Sequence, residues 1–507
     1  MLYCCQISAQ QPFTKVEVNR LKAVLGADGV LFDSSGTSGL NIKNAVVNSL
    51  ANRAGIWMSA TDSAGNLRLS AHNVLGGTHD FWPGPLEVNG AKAADPVIWN
   101  KSYAVTKTEI NYHKQHYMDA GYTASQGIAA WPGSQGSPYA QVLAPFVDNN
   151  LSNQLYEPLL GDYPYFTSDA ISYSISNDNY ANHTYSGGLP LGVEVQTSLY
   201  AFNSTDSFLG NAVFVRYVVH NRSNRNYDNF RLSAVTNFKI GVTANEYLGT
   251  SIPGNAMFAI NDTTEATFKE QLVSLGCMAF NHRIKSTMYF NNDNNAINGS
   301  PVSAVDFQRL MQGQWKNGAS LRFGGNGIDG NDVARYIYPY TGDSENGNLM
   351  WSETSVGNTS GNRIGLMNSD SFTLNRGKAL VFDFLYFYVE EKFANIKQID
   401  YFCSSLNARL ADKQMLSNDK ITASKGMSFY TYPNPAKAGE KMGIFRKQEI
   451  AMGLTIYDIS GREICNYNLP VTENSIILPA SLISGLYYIE FKTLNTVERQ
   501  ILKINAY

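Results

Sequence analysis

Charge is scarce in this sequence: only 16% of its 507 residues are Asp, Glu, Lys or Arg, and the net charge is −3. No run of five or six like charges occurs, which argues against nucleic acid or an anionic membrane surface as a partner. Long apolar runs are missing too. The longest, Ala379 to Val389, contains Asp383 and falls far short of the ~20 residues that a bilayer-spanning helix needs. Cysteine is equally sparse. Beyond Cys4 and Cys5 only Cys277, Cys403 and Cys465 remain, so no disulfide framework exists. Cys277 with Cys403 is the one plausible bridge, and two buried free thiols explain the pair equally well.

What the sequence does have is 12% aromatic residues, 44% hydrophobic residues and 42 glycines, the mixture of a β-rich protein with many turns. Its length exceeds what one core usually organises and favours two or three domains. From Gln11 to about Glu390, short aromatic and β-branched runs alternate with Gly, Asn, Asp and Pro clusters. The run Leu380 to Val389 is apolar on both faces, which predicts a central strand. Phe393, Ile396, Ile399, Phe402, Leu406 and Leu410 recur at helical spacing and predict a helix packed on that sheet. A polar, aperiodic stretch follows, and then four short strand patterns, Leu454–Ile459, Ser475–Leu478, Gly485–Phe491 and Gln500–Ile504, with turn residues such as Ser460-Gly461 between them.

The expected fold is therefore mainly β: a large, sandwich-like body with few helices over residues 11–410, a linker over 411–427, and a small immunoglobulin-like antiparallel sandwich over 428–507. Residues 1–10, MLYCCQISAQ, read as the tail of an export signal, with a short apolar run and Ile7-Ser8-Ala9 before a polar start. Its basic head is missing, so a remnant is expected. A lipidated Cys4 or Cys5 fits poorly, because Leu2-Tyr3 lacks the small residue expected before such a cysteine.

The last region carries a specific pattern: Tyr432-Pro433-Asn434-Pro435, Ile456-Tyr457-Asp458 with Gly461, Leu482 with Gly485-Leu486-Tyr487-Tyr488, and Ile501-Leu502-Lys503-Ile504. In this order, over about eighty residues, it resembles the C-terminal sorting domain of the type IX secretion system of Bacteroidetes. The resemblance implies a secreted or cell-surface protein that crosses the periplasm, engages the outer-membrane secretion machinery and a sortase-like peptidase, and is anchored to surface lipopolysaccharide or released. Tyr432, Pro433, Asn434, Pro435, Gly461, Gly485, Tyr487 and Lys503 carry the sorting motif, and none is expected to be catalytic. The body is similar to a group of Bacteroidetes extracellular proteins through Asp80-Phe81-Trp82-Pro83-Gly84-Pro85-Leu86, Ala144-Pro145-Phe146-Val147-Asp148, Gly161-Asp162-Tyr163-Pro164 and Leu191-Gly192-Val193-Glu194-Val195-Gln196. That group implies a fold unit and no activity.

No cofactor is implied, with calcium as the one candidate. Asp148, Asn150 and Ser152 keep oxygen atoms at alternate positions ahead of Glu157, as a hard cation needs, although Asn153 stands where such a loop wants glycine; Asx-type turns explain the same residues. Thr236 and Phe238, upstream of Asn245-Glu246, occupy positions that the group often fills with aspartate, which argues against a cation there. His113 and His116 share a helical face but show no third metal ligand. Glycoside hydrolysis needs facing carboxylates; Glu194, with Glu353 or Asp383, is the candidate, against a solvent-facing strand reading from its alternation with Val193 and Val195. Trp82, Trp99, Trp131, Trp315 and Trp351 are candidate sugar platforms, or core. No Gly-x-Ser-x-Gly turn and no phosphate loop occurs. The expectation is thus a non-enzymatic structural or adhesive protein, an adhesin meeting a glycan or a partner surface protein; the alternative is a carbohydrate-binding protein or glycoside hydrolase.

Overall fold

The computed structural model describes residues 12–33, 39–43, 49–149, 155–241, 244–265, 268, 271–340, 350–391, 399, 402–403, 429–432, 436–446, 451–458, 462–483, 485–493 and 497–505. The signal remnant and the linker lie outside these residues. The chain divides into two compact units, one of Met1–Lys107, Gln135–Leu143 and Asp169–Asn407, the other of Thr108–Ser134, Ala144–Ser168 and Ala408–Tyr507. Two segments that the sequence reading assigns to the body are thereby grouped with the C-terminal strands.

The first unit is built on two antiparallel sheets of nine strands. One runs Phe13–Val16, Leu21–Gly26, Leu40–Ile42, Ser49–Thr61, Tyr227–Phe238, Arg363–Ser369 and Ile284–Asn291, with Leu67–Ala71 and Phe372–Leu374 paired off this path. The other runs Glu246–Ser251, Ala256–Asn261, Leu272–Ala279, Ala379–Glu391, Ala212–Asn221, Val193–Ala201, Ala170–Asn177 and Trp82–Pro83, with Tyr103–Thr106 on Ala170–Asn177. Ala379–Glu391 is paired along both edges, as a strand apolar on both faces must be.

One core joins the two sheets. Trp57, Leu232, Met288 and Leu366 of the first meet Val195, Val213, Leu275 and Phe384 of the second in a single buried cluster. The sheets approach closely at Gly365, where a Cβ would stand 2.8 Å from the sulfur of Met257 on the other sheet, so a larger residue there would make its neighbours shift. The helix Ala304–Met311 buries Phe307, Leu310 and Met311, with the Phe307 ring 4.6 Å from Trp57. Of the helix expected after residue 393, Ile399, Phe402 and Cys403 are helical and buried, and Phe402 stacks on Phe387 at 4.4 Å. Its other positions lie outside the described residues. Cys277 and Cys403 are both buried and are not joined by a disulfide.

In the second unit, the C-terminal strands form a three-stranded sheet, Phe429–Tyr432, Lys441–Arg446 and Ser475–Ile477, and a five-stranded one, Ala436–Lys437, Val497–Asn505, Gly485–Lys492, Met452–Asp458 and Glu463–Leu469. All pairings are antiparallel except Ala436–Lys437 on Val497–Asn505. Burial alternates along Met452–Asp458, the signature of a strand with one face on a core. That core consists of Met442, Ile444, Leu454, Ile456, Ile489, Phe491, Leu502 and neighbouring residues of the same region.

Candidate functional site

The three carboxylates weighed for glycoside hydrolysis all lie in the protein interior. Each is buried against an arginine. Asp383 receives Arg216 Nε and Nη2, both at 2.7 Å, from the directly opposite position of the neighbouring strand. Glu194 lies 3.0 Å from Arg222 Nη2 and also accepts the Leu86 N–H and the Gln196 side-chain amide. Burial opposes its ionisation, but the Arg222 charge prevails and holds its carboxyl below the ordinary value. Glu353 accepts from Arg363 Nε at 3.1 Å and from the Leu248 N–H at 2.7 Å; here burial prevails and raises the pKa. Glu194 is therefore not the solvent-facing residue that its alternation suggests, because its sheet is covered on both faces. The arginine partners were the missing signal: Arg216 is a lone charge within an apolar strand, as is Asp383, and two such charges call for each other.

The histidine pair is likewise spent on packing. His113 is fully buried, one ring nitrogen 3.0 Å from the Tyr122 hydroxyl and the other 3.0 Å from the Asp162 carbonyl, while His116 pairs with Asp119 at 2.6 Å. Of the calcium loop, Asn150 and Ser152 lie outside the described residues. Asp148 and Glu157 lie near Asp162, which is fully buried and accepts the N–H groups of Asn149 and Glu157, each at 2.8 Å. Burial raises the Asp162 pKa, with the Asp148 and Glu157 charges adding to it. Among the described residues, no group of three His, Cys, Asp or Glu side chains is arranged to hold a metal ion.

The tryptophans are mostly core. Trp131, Trp315 and Trp351 are buried with their N–H groups donated to backbone carbonyls of Pro145, Gly327 and Gly325; Trp82 is nearly buried, and Trp99 is half-buried.

A cleft in the first unit went unread in the sequence. A cavity of about 300 Å³ beside Asp28, Asp33, His79, Trp82 and Asn100 adjoins one of about 160 Å³ that adds Arg53 and His72. Arg53 pairs with Asp33 at 2.5 Å. Burial pushes the Asp28 carboxyl up, the Val30 N–H opposing and the Asp33 charge reinforcing it. His72 Nδ1 accepts the Ile56 N–H, which leaves the proton on Nε2, facing the Asp28 carbonyl at 3.2 Å. Burial drives its pKa down to about 4, so the ring is neutral. Two carboxyl groups, a guanidinium and the His79 ring around a polar opening suit a ligand rich in hydroxyl groups. These residues come from strands and loops spread between positions 28 and 100, and no short motif joins them.

In the C-terminal region, the Tyr487 hydroxyl accepts the Ile483 N–H and donates to the Ile483 carbonyl, fixing the turn ahead of Gly485–Lys492. Gly485 and Leu486 pair with Ile504 and Lys503. Pro433, Asn434, Pro435 and Gly461 lie outside the described residues, as does the Tyr432 side chain.

None of the curated proteins compared with the chain matches it. A solved structure of a polysaccharide lyase aligns with 62% of this chain and spans 34% of its own length, at 9% identity and a TM-score of 0.19, a likeness that carries no argument. Residues 430–504 match the family of secretion system C-terminal sorting domains, so the C-terminal sandwich of this chain is a sorting domain of the type IX secretion system, which directs export to the cell surface or the extracellular space.

Proposed function

We propose that the body is a structural or adhesive protein of the bacterial surface, delivered by its sorting domain. The observation that carries this reading is the sorting domain itself, joined to a body whose three candidate catalytic carboxylates are buried and each paired with an arginine. The outer-membrane machine and a sortase-like peptidase are its partners in export, and surface lipopolysaccharide its anchor. Deleting Gly426 to Tyr507 tests the route. The truncated protein, whose first unit keeps its own core, accumulates in the periplasm, and fractionation with an antibody against that unit locates it. Normal amounts outside the cell would overturn the reading.

A second reading, a carbohydrate-binding protein or glycoside hydrolase, is favoured by the cleft at Asp28, Asp33 and Arg53. Screening the purified protein against polysaccharides separates the two. Binding lost in Arg53→Ala supports a lectin-like body, and turnover lost in Asp28→Asn supports an enzyme. Neither binding nor turnover leaves the structural reading in place.

A further inference from the structure

At the edge of the second sheet, Glu246 stands directly opposite Asn261, so the two side chains leave the sheet on the same face. Both are buried. Glu246 Oε1 accepts the Ile240 N–H at 2.9 Å, but its Oε2 is enclosed without a hydrogen-bond donor. The Asn261 Oδ1 is enclosed in the same way, while its Nδ2 lies 3.4 Å from Glu265 Oε1. Glu265 reaches this place over Gly241, whose φ of +77° favours glycine.

Enclosed oxygen acceptors without donors are costly unless a positive charge meets them. Lys239 contributes one charge to the surroundings of Glu246, and Glu265 contributes one of opposite sign. The remaining oxygens of Glu246 and Asn261 are still unmatched. We propose that Glu246, Asn261 and Glu265 form a site for a hard divalent cation, calcium in the extracellular medium, with water completing its shell. A carboxylate, an amide oxygen and a second carboxylate are the donor types that such an ion takes. A site with so few protein ligands belongs to the weak class of extracellular calcium sites, with Kd of about 0.1–1 mM. The proton is the competitor. Burial pushes the Glu246 carboxyl up to about 7, with the Ile240 N–H opposing and the Glu265 charge adding to it.

The test titrates calcium chloride into the full-length protein, reading heat of binding and the melting temperature. The expected result at pH 8 is one site that raises the melting temperature by a few degrees at about 10 mM calcium. Glu246→Gln and, separately, Glu265→Gln abolish the response, whereas Asp148→Asn leaves it intact. Glu246→Gln keeps the shape of the side chain and removes the charge, so without calcium it melts no lower than the parent. Three results would overturn the proposal: no calcium response at pH 8, a response that survives both glutamine variants, or a response lost only in Asp148→Asn. A melting temperature that varies with pH but not with calcium would assign the Glu246 oxygen to a proton.

Discussion

The body and the sorting domain solve the same problem, holding antiparallel strands in register, by different means. In the body, strands such as Ala212–Asn221 are buried on both faces, so apolar patterning alone cannot tell one register from the next. Charge marks the register there: Arg216 meets Asp383 directly across the strand pair, while Glu194 and Glu353 are held by Arg222 and Arg363, which do not stand opposite them in a strand pair. The sorting domain has one face to its core and one outward, and strict alternation along Met452–Asp458 suffices. Its ion pairs, Lys437 with Glu440 and Arg462 with Asp458, have exposed cationic partners. Buried charge is thus the mark of the body, with strands buried on both faces, and alternation the mark of the sorting domain.

The comparison breaks most readily at Asp383. Replacing it with Ala strands the Arg216 guanidinium in the core and is expected to cost the body about 3–5 kcal/mol. Arg216→Met combined with Asp383→Leu restores most of this, since paired apolar residues replace the pair without leaving a charge behind. Chemical denaturation measures both variants; a single mutant within about 1 kcal/mol of the parent would show that the pair does not set the register.

A second test uses pH. All seven histidines lie at or before residue 282, so the sorting domain has none. Burial lowers the pKa of His72 from 6.5 to about 4, and that of His282 likewise. Between these values the unfolded chain binds protons that the folded body refuses. Stability is full above pH 6.5 and falls as pH drops toward 4, by up to about 3 kcal/mol per histidine. His72→Asn, whose amide oxygen can still accept from Ile56, removes its share of that slope. Body unfolding followed from pH 7 to 4 checks this, and superimposable curves for parent and variant would refute it. The smallest effect is expected at Lys437, half-exposed and 3.7 Å from Glu440, where Lys437→Ala changes stability by less than about 0.5 kcal/mol.

The same contrast explains what was legible in the sequence. The sorting domain's strands could be read because solvent lies on one side, and Gly485 of the motif opens one of them. Leu380 to Val389 could be read as central because no charge but Asp383 interrupts it. Its partner could not be read, since Arg216 lies 167 residues away and only the strand pairing joins them. The misreading of Glu194 as solvent-facing has the same root: alternation of a charge with valines also fits a buried strand when an arginine arrives from elsewhere. The cleft at Asp28, Asp33, Arg53 and His72 and the oxygen cluster at Glu246, Asn261 and Glu265 are likewise products of topology. Glu246 looked unpromising because the aspartates expected upstream are absent; its neighbours come from the next strand and the loop beyond it.

The parallel pairing of Ala436–Lys437 with Val497–Asn505 places the entrance of the sorting domain beside its final strand. Ribosomes deliver those two segments some sixty residues apart, and the later one also zips along the whole of Gly485–Lys492. A chain broken before Val497 leaves the five-stranded sheet open at both of these seams. The address label is therefore finished only after the cargo has been written in full, and an interrupted chain has no folded label to present.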